Sequence, residues 1–450
     1  MSFLTIGAAV FLVVPFGELR RILFHRPSLH PVANRGRTAR GRRACRRVAC
    51  PVGVDDPDDA GQGPLEWLLQ ASHTLPPGRL APAVDEALRR IGARSSLVYV
   101  VDHDQRSLHP LPMDGAEQGA FDVDGTTGGR AFMLEQTVTI PTDDGVRQWV
   151  PLLDGTARLG VVSVDLDAEA ADDPATTRLI ERCVSLAAEL LVTKSQYTDE
   201  IECVRRRQAM SLEAELQRCT LPPVALLTPS VAVAGLLLPA YEVAGDSFDY
   251  ALNEDRLEVA IIDSVGHELE SSVISHLVYG SLRNSRRNRI ELAEAYARAG
   301  AAVARVFPDI RFATAAFGHL DLGSGSFRWV SAGHPPPLLV RGGKVTGEAP
   351  TKPALPIGLG GTDPTVNEVA LERGDHVFLY TDGATEGGEP GGPRFGLDRL
   401  VDLLGRSLLD GLPPAETVRR LVQAVFAHSA YRLQDDTTMM LIEYRGAPGD

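Results

Sequence analysis

The chain has 450 residues, 44% of them hydrophobic and 23% charged. That is ordinary globular chemistry and excludes a collagen-like, coiled-coil-only or wholly disordered protein. Lys and Arg total 45 against 59 Asp and Glu, a formal charge of −14, so a general nucleic-acid binder is excluded and no nucleic-acid partner is expected.

At roughly 100–200 residues per domain, two or three domains are expected. Five cysteines without regular spacing suit a reducing, cytoplasmic setting with no disulfide framework. Residues 1–54 hold ten arginines and a single acidic residue, Glu18, so they carry +9 and the remainder −23. The apolar run 3–14 is shorter than the ~20 residues of a spanning helix. Its arginines follow the run instead of preceding it, unlike a signal peptide. Residues 1–60 therefore read as a basic, disordered or non-native leader with no membrane partner. The arginine run 35–47 reads as a solvated tail. The acidic Pro/Gly stretch 51–64 reads as a linker.

Residues 61–175 show helical spacing in 65–75 and 80–92, then strand-like runs at 95–102, 137–141, 147–153 and 160–166 separated by Gly- and Asp-containing turns. A small α+β domain with an antiparallel sheet is expected. The layout, above all the PLLDGTARLGVVSVDL hairpin (151–166), resembles a GAF sensor domain.

Residues 176–222 form the next unit, a helical linker. From Thr176 to Thr220 there is no Pro or Gly, and Leu179, Cys183, Ala187, Leu190, Tyr197, Ile201, Val204, Leu212 and Leu216 recur at three- to four-residue spacing. Read as one helix of ~45 residues, it would be ~65 Å long. Its apolar stripe would then need a partner, and a homodimer through this linker is expected. Cys203 and Cys219 are expected to face the core. Pro222 and Pro223 end the helix.

Residues 223–446 carry strand-like runs at 231–238, 257–263, 312–320, 326–331, 336–340, 376–381 and 437–444. Helical stretches lie at 268–286, 290–306, 396–409 and 414–428. Strands with segregated helices indicate α+β. Four segments place aspartates at or just past strand ends, in turns: VAGDSFDY (243–250) with Asp246 and Asp249, VAIIDSVGHE (259–268) with Asp263, VFLYTDGATE (377–386) with Asp382, and LQDDTTMM (433–440) with Asp435 and Asp436. Asp favours turns on its own account, but four such segments around one domain suggest convergence. Converging carboxylates raise one another's pKa unless cations neutralise them. Hard oxygen ligands suit Mg²⁺ or Mn²⁺. No zinc spacing of Cys and His, no GxxxxGK[ST] loop and no G-x-S-x-G elbow is present.

The order of these motifs resembles the SpoIIE-type branch of the PPM (protein phosphatase 2C-like) serine/threonine phosphatases. The matching residues run Ala244-Gly245-Asp246, Phe248-Asp249, Asp263-Ser264-Val265-Gly266-His267, Ala332-Gly333-His334-Pro335-Pro336, Gly374-Asp375, Tyr380-Thr381-Asp382-Gly383, Glu386, Phe395-Gly396 and Asp435-Asp436-Thr437-Thr438. The resemblance implies an α-β-β-α sandwich of two antiparallel sheets and two bound Mn²⁺ or Mg²⁺ ions. Asp246, Asp263, Asp382, Asp435 and the Ser264 carbonyl would be the ligands, with a metal-activated water in place of any side-chain nucleophile. Asp249 and Asp436 would support the ligands. The implied substrate is a phosphorylated STAS-domain anti-anti-sigma protein, in bacterial sigma-factor control.

Ala244, Ser247, Ser264 and Glu268 depart from the family pattern without removing a carboxylate ligand. They also define the alternative, a catalytically degenerate sensor or scaffold that binds a signalling partner. His267 and His334 sit in Gly-containing turns and are assigned structural hydrogen bonding, not proton transfer.

Overall fold

The computed structural model describes residues 63–113, 119–242, 245–266, 269–433 and 435–447. Chain contacts divide the protein into Met1–Asp56 and Pro57–Asp450, and every described residue belongs to the second unit. The expected leader, residues 1–60, and the pair His267 and Glu268 lie outside the described residues.

The first region contains α1 (Pro64–Ser72), α2 (Leu80–Arg89), β1 (Ser95–Val101), β2 (Ser107–Pro110), β3 (Phe121–Asp122), α3 (Thr127–Leu134), β4 (Val138–Thr142), β5 (Gly145–Asp154) and β6 (Ala157–Leu166). The strands form one antiparallel sheet in the order β3-β2-β1-β6-β5-β4. Alternation decides its two faces. Val98, Val100, Val162 and Val164 pack with α1 and α2 on one side, while Tyr99, Trp149 and Val161 pack with Phe132 of α3 on the other.

The linker is not one rod. After the short α4 (Ala168–Ala171) come α5 (Pro174–Ser195), α6 (Glu200–Arg205) and α7 (Leu212–Arg218). Cap chemistry breaks the expected helix without Pro or Gly. Thr198 Oγ1 accepts from Glu200 N–H at the start of α6, and Ser211 Oγ caps α7 by accepting from Ala214 N–H. Between α6 and α7, Arg206 is extended (φ −88°, ψ 119°), and its guanidinium reaches Glu202 and Glu215. The stripe of α5, with Ile180, Cys183, Val184, Ala187 and Leu191, is buried in the same core as α1 and α2. It is covered within the chain and gives no reason for a second copy. The breaks also rotate the stripe, so that Cys203 and Cys219 are exposed and do not face the core.

The second region is the four-layer sandwich. Its elements are β7 (Ala225–Leu227), β8 (Val231–Leu238), β9 (Asp246–Asn253), β10 (Arg256–Ser264), α8 (Leu269–Arg287), α9 (Leu292–Val306), β11 (Ala313–Asp321), β12 (Ser326–Ala332), β13 (Leu338–Arg341), β14 (Lys344–Glu348), β15 (Asn367–Ala370), β16 (His376–Tyr380), α10 (Gly383–Glu386), α11 (Leu397–Leu409), α12 (Pro414–His428) and β17 (Thr437–Tyr444). One sheet runs β15-β12-β11-β10-β9, the other β14-β13-β16-β17-β8-β7. Val259 and Ile261 of β10 meet Val233, Val377 and Met440 between the sheets. Ala260 and Ile262, one residue out of phase, pack under α8 and α9. On the other sheet Ala234, Phe378 and Leu441 lie under Leu400 and Leu404 of α11 and Val418, Leu421, Val422 and Val425 of α12.

The two regions meet through buried charge. Arg158 of β6 and Glu416 of α12 form an ion pair at 2.9 Å with both side chains fully buried. Arg419 and Arg420 also bind Glu416, and Arg419 reaches back to Asp124 at 2.7 Å. The Arg158 guanidinium stacks 4.5 Å above the Phe132 ring.

Candidate functional site

Backbone pairing brings the first two aspartates together. In the antiparallel ladder of β9 and β10, Asp246 lies directly opposite Asp263, and Asp263 faces Thr314 of β11 on its other side. Directly opposed residues of such a ladder have Cα atoms about 4.5–5.5 Å apart. Asp263 closes β10 as expected, whereas Asp246 opens β9 and Asp249 is its fourth residue, in a strand and not in the expected turn. Gly245 just before them is held tight: a Cβ there would sit 2.7 Å from the Ser264 carbonyl oxygen.

The other sheet delivers Asp382 and Asp435 as expected, at a strand end and before a strand. Asp382 follows β16 and starts α10. Gly383 lets this turn approach the segment before β17, since a Cβ there would meet the Asp436 carbonyl at 2.0 Å. Asp436 does not lead into the cluster as a ligand. Its Oδ2 accepts from Gly245 N–H at 2.8 Å and Asp246 N–H at 3.2 Å, tying the two sheets together. The two hydroxyls of Thr381 and Thr438 donate to Asp246 Oδ2 at 2.8 and 2.7 Å, so its Oδ1 is not drawn into that pairing.

The electrostatics of the four carboxylates agree in direction. Burial, then Asp263 and Asp436, push Asp246 well above the usual carboxylate range, against the two threonine hydroxyls. Burial, then Asp382, Asp435 and Asp436, raise Asp263 to about 7. Asp382 is raised by burial and by Glu386, and Asp435 by burial and by the charges of Asp436 and Asp382. Asp249 is different. Arg283 binds it at 2.7 Å and Arg286 also pairs with it, so its charge is neutralised outside the cluster.

Ser264 is buried at the end of β10, and its hydroxyl lies 2.7 Å from the Ser271 carbonyl and 3.0 Å from that of Gly245. His334 is buried and desolvation lowers its pKa to about 3, so it is neutral near pH 7. Its Nδ1 lies 3.1 Å from Thr314 Oγ1. That is the structural role expected of it.

Among the described residues, no three His, Cys, Asp or Glu side chains are grouped closely enough to form a ready-made metal cage. The cluster is an open set of mutually repelling oxygens, and repulsion holds such groups apart until a cation offsets it. The donor set is all oxygen, which fits Mg²⁺ or Mn²⁺. Thr314, Thr381 and Thr438 were not singled out from the sequence, although the two latter stand beside Asp382 and Asp436 in the quoted motifs.

Residues 253–445 match the family described as Stage II sporulation protein E (SpoIIE). Over 135 residues the chain is 27% identical to Protein IcfG of Synechocystis sp., covering 30% of this chain and 21% of that protein. Over 239 residues it is 19% identical to Phosphoserine phosphatase RsbU of Bacillus subtilis, covering 52% of this chain and 70% of that protein. A solved structure of the RsbU and RsbW domains of a Mycobacterium tuberculosis protein is similar at 27% identity and a TM-score of 0.43, over 49% of this chain and 63% of that one. The match spans about a fifth of the length of the first of these relatives. Asp263, Asp382 and Asp435 all fall inside the segment that is similar to the SpoIIE family.

Proposed function

We infer that the protein is a metal-dependent phosphoserine/phosphothreonine phosphatase acting on a cytoplasmic regulatory phosphoprotein. Its substrate class is a phosphorylated STAS-domain anti-anti-sigma protein, and its first region is a GAF-like sensor that controls it. The observation that carries the reading is the set of four carboxylates, Asp246 buried, Asp263 half-buried and Asp382 and Asp435 at the exposed mouth, all with raised pKa values. These side chains and the Ser264 carbonyl would hold two Mn²⁺ or Mg²⁺ ions. When bound, such ions supply a water activated for attack and positive charge for the phosphoryl oxygens. The chain's own residues orient and exclude. Thr381 and Thr438 fix the rotamer of Asp246, Asp436 holds the backbone that carries it, and neutral His334 adds no competing charge. The name of the RsbU relative supports a phosphoserine substrate, and the family resemblance supports the STAS protein. The test is hydrolysis of an aryl phosphate and of a phosphoserine peptide with Mn²⁺. Turnover that stops in chelator and in Asp382→Ala is expected; undiminished turnover in either overturns the reading.

A further inference from the structure

Glu386 belongs to the motif that carries Asp382, and the site described above gives it no task. It ends α10, one turn after Asp382, and its N–H donates to the Asp382 carbonyl at 2.8 Å. Residues four apart on a helix share a face, so its carboxylate stands at the mouth of the site. Burial first, then Glu386, raises Asp382, and burial, Asp436, Asp382 and Glu386 raise Asp435. One cation reaches this mouth. Arg394 Nη1 donates to Glu386 Oε1 at 2.5 Å, and the charge of Arg394 works against the rise at Asp382.

The backbone and the side chain of Arg394 are held very differently. Its neighbours are fixed. Phe395 is buried and its N–H donates to the Gly387 carbonyl at 2.7 Å, Gly396 N–H donates to the Thr385 carbonyl at 2.9 Å, and His428 Nε2 lies 2.9 Å from the Pro393 carbonyl. The guanidinium is loose. Its side chain is 69% exposed and that of Glu386 51%, and the contact with Glu386 is the one hydrogen bond it makes among the described residues. An ion pair this exposed contributes little, so exchanging Glu386 for another anion costs little. The substrate supplies that anion, since a phosphoserine carries about −1.5 to −2 at pH 7. The charge of two divalent ions is cancelled by Asp246, Asp263, Asp382 and Asp435, with Glu386 in excess, so an incoming phosphoryl group needs a further cation. An arginine fork matches phosphate oxygens with two parallel hydrogen bonds.

We propose that Arg394 is a substrate-binding residue of the carboxylate site: its guanidinium exchanges Glu386 for the phosphoryl oxygens of the substrate and holds them at the mouth. This deepens the phosphatase reading and rests on it. In the empty site Glu386 keeps the place of the phosphoryl group and holds the guanidinium beside Asp382.

Full-length wild type, Arg394→Gln and Glu386→Gln are assayed with Mn²⁺ on an aryl phosphate, with inorganic phosphate as the competing product, and Mn²⁺ binding is titrated separately. Arg394→Gln should raise both KM and the inhibition constant of phosphate ~10-fold, the loss of a charge-assisted contact, with Mn²⁺ bound at least as tightly as by wild type. Glu386→Gln frees the guanidinium and should lower the inhibition constant of phosphate. Unchanged KM and phosphate inhibition in Arg394→Gln overturns the role of Arg394. So does a rise that comes with weaker Mn²⁺ binding, since Arg394 would then serve the metal ligands, and so does a variant that fails to fold. An inhibition constant that does not fall in Glu386→Gln overturns the exchange. Absence of Mn²⁺-dependent turnover by the wild-type chain overturns the phosphatase reading itself, and is seen before any variant is measured.

Discussion

The molecule gathers charge in two clusters and builds them on opposite plans. Between the regions, Glu416 is enclosed by Arg158, Arg419 and Arg420. Burial pushes its carboxyl up, but the hydrogen bonds and charges of Arg419 and Arg158 outweigh this and hold it below its usual range. In the sandwich, Asp246 and Asp263 have only hydroxyl partners, and burial and like charge push both up. A buried charge matched by fixed arginines serves structure. A carboxylate cluster that forms no ion pair among the described residues is poised for a cation from solution.

The largest effect follows from breaking the unmatched cluster. Asp263→Ala should reduce phosphatase turnover by several kcal/mol of transition-state stabilisation, on the order of 1,000-fold. Its metal-free melting temperature should not fall, because a repelling charge is removed. Near-wild-type turnover in the purified, folded variant contradicts the contrast between the clusters.

Breaking the matched cluster should do the reverse. Arg158→Ala leaves Glu416 buried with two of its three arginines and should cost about 3 kcal/mol of stability in urea unfolding. Mn²⁺ affinity of the folded protein should be nearly unchanged. A variant as stable as wild type would show that the interface charge is not buried in solution.

Acid and base should then sharpen the contrast through opposite slopes in metal-free protein. Asp263, raised to about 7 when folded, contributes stability that is fully present below the ordinary Asp range near 4 and is lost as pH rises through about 7. Glu416, lowered when folded, contributes stability present above the ordinary Glu range and lost as pH falls through its depressed folded value. Urea unfolding between pH 5 and 8 should therefore combine a falling contribution from Asp263 with a rising one from His103, His319 and His334, which burial lowers, and Asp263→Asn should remove the falling part. An unaltered slope in the variant assigns it to other groups.

The smallest effect is on melting. Mn²⁺ binds the native state preferentially and should raise the wild-type melting temperature by a few degrees, an increment removed by chelator and absent in Asp263→Ala. An equal rise in that variant would place the binding elsewhere.

Much of the sandwich was legible because its pattern is local. β8, β17 and α12 fall where periodicity puts them. So do the motifs around Asp263, Asp382 and Asp435. β9 was read as a turn because DSFDYALN places Asp and Ser at positions that look like a loop. Its strand character comes from pairing with β10, which is a tertiary effect. The linker was read as one helix because apolar spacing reports a face and not continuity. Hydroxyls at Thr198 and Ser211 carried the missing signal.

The most direct measurement is a calorimetric titration of the metal-free, full-length protein with Mn²⁺, alongside Asp263→Asn. The account predicts saturable binding of two ions by the wild type and loss of that binding in the variant, because Asp263 lies opposite Asp246 and among the charges of Asp382 and Asp435. Wild-type protein that takes up no Mn²⁺, or a variant that takes it up equally well, would contradict the claim that the unmatched carboxylates form a cation site.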